Sequence, residues 1–138
     1  MPEKNNFFNL IFLRNLLLLN FKNLKLFSYS SCSTCRRAIK WLKNNEINFD
    51  LFDILKSPPS KKMLVSASEL YGSRKYLLNT SGLMYRSIGS DIIRKMTDQE
   101  FYEKLYMEPR LIKRPFLYQS SKFLLFGFKE EKWAEKLL

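Results

Sequence analysis

The stretch Leu24-Lys25-Leu26-Phe27-Ser28-Tyr29-Ser30-Ser31-Cys32-Ser33-Thr34-Cys35-Arg36-Arg37 decides how this chain is read. Its first six residues alternate and are bounded by serines, the pattern of a strand. Ser30 or Ser31 is placed to cap the helix that follows. On that helix Cys35, Ala38 and Leu42 share one face, with Trp41 beside them. The spacing predicts a helix end at Asn44-Asn45 and a second strand over Ile47 to Ile54. Strand, Cys-x-x-Cys, helix, strand is a βαβ opening with both cysteines at the helix N-terminus.

The chain has two cysteines and no histidine. Chemistry here must therefore run on the two sulfurs and on arginine, lysine and carboxylates. A helix N-terminus presents unpaired N–H groups and a partial positive charge, which favour a thiolate. Arg36 and Arg37 in the first turn act in the same direction. Cys32 is accordingly the expected nucleophile and Cys35 the resolving thiol that closes a Cys32–Cys35 disulfide. The same helix end can hold an oxyanion. Three rival readings compete with this one. Zinc needs about four ligands, and only carboxylates remain to complete the set, so no metal is expected. Two inert core cysteines fit less well, because Cys-x-x-Cys near a βαβ pattern reads as a thioredoxin-like redox motif. A histidine-dependent hydrolase is excluded.

A length of 138 residues suits one domain. The net charge of +11 is spread along the chain, which argues against a dedicated nucleic-acid arm and direct DNA binding. Residues 1–23 read as an extension, disordered or helical. The apolar run from Phe7 to Phe21 is short for a bilayer span and is interrupted by Arg14, so no stable membrane anchoring is expected. Tyr29-Ser30-Ser31-Cys32 imitates a lipoprotein cleavage site without its aliphatic residue. A reduced thiol pair points to the cytoplasm.

Beyond Ser57-Pro58-Pro59-Ser60 the pattern predicts a helix from Lys61 to Tyr71, capped by Ser60 and ended by Gly72. A short helix over Arg74 to Leu78 and a turn at Asn79-Thr80-Ser81-Gly82 follow. Thr97-Asp98-Gln99-Glu100 is a capping box for a helix ending before Pro109. The stretch 56–109 thus reads as a helical, polar-faced insertion. Arg110 to Pro115 is expected as a loop, with Arg114-Pro115 a candidate cis peptide. Phe116–Tyr118 and Phe123–Phe126 read as a hairpin, and Lys129–Leu138 as a last amphipathic helix. Arg114 is placed to meet an anionic substrate or a Cys32 adduct; the alternative is a solvated arginine beside Arg110 and Lys113.

Four segments, taken together, resemble the ArsC/Spx family: Tyr29-x-x-Cys32-Ser33-Thr34-Cys35-Arg36; Leu77-Leu78-Asn79-Thr80-x-Gly82-x-x-Tyr85-Arg86; Pro109-x-Leu111-Ile112-Lys113-Arg114-Pro115; and Gly127-Phe128. The resemblance covers residues 24–138. It implies an α/β, thioredoxin-like fold, with 24–55 and 110–138 as the thioredoxin-like part and 56–109 as the helical insertion. It implies that Cys32 matches the catalytic cysteine and that Arg114 stands beside the family's cis-proline, here Pro115. Arg36 and Pro115 are then expected to line the substrate site. Arsenate reductases of this family hold the oxyanion with three arginines; this chain has Asn79 and Gly127 where two of them are expected. Spx-type members carry Cys-x-x-Cys as a redox switch and bind RNA polymerase. A third branch is similar to glutathione-linked thiol reductases, and this chain resembles that branch most. The implied function is a thiol-dependent reductase with no bound cofactor, drawing electrons from glutathione, glutaredoxin or thioredoxin. The alternative is a regulator of RNA polymerase.

Overall fold

A computed structural model describes residues 8–13, 23–119 and 122–138. Strand β1 (Leu24–Ser28) is followed by helix α1 (Ser33–Asn44) and strand β2 (Asp50–Asp53). Helix α2 (Lys61–Tyr71), a 3-10 turn (Arg74–Leu77), and helices α3 (Leu83–Ile88), α4 (Ser90–Arg94) and α5 (Asp98–Met107) come next. A second 3-10 turn (Pro109–Leu111) leads to strands β3 (Phe116–Gln119) and β4 (Lys122–Phe126) and to helix α6 (Glu130–Leu137). The four strands form one sheet in the order β2-β1-β3-β4. β1 and β2 are parallel, as a helical crossover requires. β3 runs antiparallel to β1, and β4 antiparallel to β3.

Strand alternation sends successive side chains to opposite faces of this sheet. Leu24 and Leu26 of β1, Leu117 of β3 and Leu125 of β4 pack with Ala38 and Leu42 of α1 and Trp133 and Leu137 of α6. Phe27, Phe116 and Tyr118 face the other way, onto Leu64 and Ala67 of α2, Ile93 of α4 and Phe101 and Leu105 of α5. Each fully buried large side chain contributes about 1.5–3 kcal/mol. Residues 56–109 thus supply about half of the buried core on one face of the sheet. Arg74 braces them: its guanidinium donates to Asp98 Oδ1 at 2.8 Å and to the Met96 carbonyl at 2.6 Å, and lies 4.6 Å from the Phe101 ring centre.

The local signals hold in several places. Ser60 Oγ accepts from the Met63 N–H and Thr97 Oγ1 from the Glu100 N–H, each at 3.2 Å. Gly72 closes α2 with φ +80°, a conformation a side chain resists. Other expectations are corrected. β2 begins at Asp50, not Ile47, because the chain is still turning there: Glu46 takes φ 56°, and the Ile47 N–H donates back to the Leu42 carbonyl at 3.0 Å. Leu83–Ile88 and Ser90–Arg94, to which the sequence pattern assigns no separate element, are two short helices, broken where Gly89 takes φ +98°. Residues 8–13 are helical and exposed. Residues 1–7 and 14–22 of the expected 1–23 extension, and the side chains of 122–124, lie outside what is described.

Candidate active site

Strand β1 delivers the chain to the site. Ser28 is buried at its end, and Tyr29 follows. The Tyr29 carbonyl accepts the Cys32 N–H at 3.0 Å, which turns the backbone into α1. The cap of α1 is neither Ser30 nor Ser31 but Cys32 itself. Its Sγ accepts from the Cys35 N–H at 3.3 Å, and its carbonyl accepts the Arg36 N–H at 3.1 Å. The sulfur thus occupies the position usually held by a serine or aspartate oxygen. Cys32 is partly exposed, Cys35 is buried, and both are free thiols.

Two environments set the thiols apart. For Cys32, burial pushes the pKa up, but the hydrogen bonds from Cys35 and the charge and hydrogen bond of Arg114 outweigh it, so the thiol titrates below an ordinary cysteine. For Cys35, burial is again the largest cause; the hydrogen bond and charge of Cys32 add to it, and hydrogen bonds to Tyr29 and Ser28 oppose it. The net result pushes Cys35 up to about 11.

Arg114 reaches the site from the loop before β3. The Arg114–Pro115 peptide is cis, as the sequence suggests. Nη1 donates to the Arg110 carbonyl at 3.2 Å, and the guanidinium carbon lies 5.0 Å from the Tyr29 ring centre. Nε is buried without a hydrogen-bond partner. Arg114 is therefore not the solvated arginine of the alternative reading. Arg36 is held elsewhere: its Nη1 donates to the Ser30 carbonyl at 2.8 Å, so its guanidinium braces the turn before Cys32.

The loop carrying Asn79 lies against the segment before Pro115. The Asn79 N–H donates to the Leu111 carbonyl at 2.8 Å, and the Lys113 N–H to the Leu77 carbonyl at 2.7 Å. Asn79 Oδ1 accepts from the Ser81 hydroxyl. A Cβ on Gly82 would come within 2.7 Å of Asn79 Nδ2, so glycine at 82 leaves room for the Asn79 amide. Gly127 takes φ +66° and donates its N–H to the Pro115 carbonyl at 2.9 Å. Ser28 and Tyr29 as partners of the site escaped sequence reasoning. The available signal was their place at the strand end directly before the Cys-x-x-Cys.

A four-stranded mixed sheet with a thiol pair at the start of the first long helix, and an arginine before a cis-proline whose charge acts on the first thiol, defines a thioredoxin-like thiol protein. The ArsC family model matches residues 27–136, and the chain belongs to that family. It is 35% identical over 115 residues to YusI, an uncharacterized protein of Bacillus subtilis, covering 82% of this chain and 97% of that one. It is 26% identical over 108 residues to the global transcriptional regulator Spx of Streptococcus pyogenes, covering 78% of this chain and 79% of that one. Among solved structures, that of a possible arsenate reductase from Streptococcus mutans superposes with a TM-score of 0.73 at 33% identity, over 80% of this chain and 97% of that one. Among the described residues no helix is long and apolar enough to cross a membrane.

Proposed function

We propose that the chain is a cytoplasmic thiol-dependent reductase in which Cys32 attacks and Cys35 resolves. The observation that carries this reading is the asymmetry of the pair: one accessible thiol with a lowered pKa, and one buried thiol raised to about 11, on the same helix start. The Cys32 thiolate attacks a glutathione mixed disulfide, forming a Cys32–S–S–glutathione bond and releasing the substrate thiolate. Arg114 and the N–H groups of α1 hold the anionic end of the ligand. Once Cys32 is capped, its charge and its hydrogen bond no longer oppose ionisation of Cys35. The Cys35 thiol then loses its proton to solvent and attacks Cys32 Sγ, closing the Cys32–Cys35 disulfide and expelling glutathione thiolate. Two further glutathione thiols, or one dithiol donor such as thioredoxin, return the pair to the reduced state. Nucleophile and leaving group thus exchange roles without a bound cofactor. Asn79 and Gly127 stand where arginines would be needed for arsenate, which favours a disulfide substrate over that oxyanion.

The test is turnover of a glutathionylated peptide with glutathione as donor. Cys32→Ser abolishes it, and Cys35→Ser slows it while accumulating the Cys32 mixed disulfide. Unchanged turnover in Cys32→Ser would sink the reading.

The similarity to Spx supports a second reading, a redox-sensing regulator that binds RNA polymerase. Pull-down of RNA polymerase from lysate by the full chain in only one redox state supports it, and failure in both states removes it.

A further inference from the structure

Strand β4 is the rim of the sheet: among the described strands it pairs with β3 alone. Two open clefts follow that rim. One, of about 370 Å³, touches both Leu125 and Phe126. These are successive strand residues, so their side chains leave on opposite faces. Leu125 belongs to the core under α1 and α6, and Phe126 packs against the core under α2. A cleft that touches both must straddle the strand's outer edge, where main-chain groups are presented. The other cleft, of about 410 Å³, runs on past Leu125, between Leu70 and Tyr71 at the end of α2 and Lys132 and Lys136 of α6.

The walls have two characters. On the α2 side Tyr71 stacks on Phe126 with ring centres 4.4 Å apart, and Leu70 is 60% exposed. On the other side Lys129, Lys132 and Lys136 line the groove, while Lys113 Nζ lies by the α2-side wall, 5.3 Å from the Phe126 ring centre. Among the described residues Glu135 is the one carboxylate lining either cleft.

We propose that this rim docks an extended acidic segment of a partner protein, which adds to β4 as a further strand. An added strand makes main-chain hydrogen bonds to the edge and sends alternate side chains to opposite faces. Apolar residues then rest on the Leu70–Tyr71–Phe126 shelf, and carboxylates meet the lysines. A second copy of this chain fits poorly, because a symmetric edge-to-edge pairing would set lysine row against lysine row in a chain of net charge +11.

The experiment titrates the isotope-labelled full chain with an alternating Glu–Val octapeptide and follows backbone amide shifts. Saturable shifts confined to β4, the end of α2 and α6 are expected. The double substitution Lys132→Glu/Lys136→Glu weakens binding by about tenfold or more, while Lys43→Glu by the opposite sheet edge, whose own spectrum reports folding, weakens it far less. N-methylation of alternate peptide residues abolishes binding. The proposal is overturned by absence of saturation, by equal binding of a Lys–Val octapeptide, by shifts centred on Cys32, or by self-association through β4.

Discussion

The guanidinium of Arg114 lies over the ring of Tyr29, 5.0 Å from its centre, while the Tyr29 carbonyl holds the N–H of Cys32. One residue at the end of β1 therefore aligns both the cation and the sulfur. A stacked guanidinium is worth about 0.5–2 kcal/mol, and here it also fixes where positive charge sits relative to the thiol. Arg114→Ala is expected to raise the Cys32 pKa and to slow its alkylation at neutral pH by about tenfold. Tyr29→Leu, which leaves the charge but removes the platform, gives a smaller shift in the same direction. Iodoacetamide labelling against pH reads both.

The pH dependence of the two thiols runs in opposite senses. Cys32 ionises below an ordinary cysteine, so its alkylation is already fast where a free thiol is slow. Cys35 is protonated in the folded chain up to about 11, against 9.0 for an unperturbed thiol. Its raised pKa means that its contribution to stability is whole below 9.0 and is lost as pH rises towards about 11. Urea unfolding across that window should show stability falling in the wild type, and Cys35→Ala should flatten the fall.

Trp133 is buried in the core under α1 and α6, and its Nε1–H donates to the Gly127 carbonyl at 3.0 Å. Trp133→Ala should cost about 3–5 kcal/mol by leaving a cavity. Trp133→Phe keeps most of the packing but strands that carbonyl, for about 1–2 kcal/mol. Chemical denaturation separates the two.

Gly127→Ala tests backbone against space. Among the described residues only Lys113 Cε comes near, at 3.9 Å, so there is room for a methyl group; the cost of about 1 kcal/mol comes from φ +66°. An arginine at this position carries the same strain. Gly127→Arg should therefore lower stability in thermal melts without creating arsenate reduction.

The caps of α2 and α5 should each be worth about 1 kcal/mol, measured as the loss in Ser60→Ala and in Thr97→Ala.

Much of this architecture is legible in the sequence where the deciding interaction is local. Ser60 and Thr97 reach N–H groups three residues on, and Cys35, Ala38 and Leu42 share the buried face of α1 because helical periodicity alone puts them there. The hairpin from Phe116 to Phe126 follows from apolar runs either side of a polar turn. What escapes is set by distant partners or by competition within a turn. Serines at 30 and 31 look like better caps than a thiol, yet the bond that the Cys32 N–H donates to the Tyr29 carbonyl puts the sulfur at the helix start. Apolar residues at 47 and 49 look like strand, but the Ile47 N–H is still bonded back to the Leu42 carbonyl, and pairing with β1 begins only at Asp50. Nothing in the spacing of residues 29 and 114 announces that they stack.

The capping role of Cys32 makes its amide partner a gauge of the chemistry. The Cys35 N–H points at a sulfur that is a strong acceptor as thiolate and a weak one as a disulfide. Each change of state at the sulfur is therefore written into one proton of the first helical turn. A single amide resonance of the isotope-labelled chain could follow the cycle from within, with no reporter group attached to either sulfur.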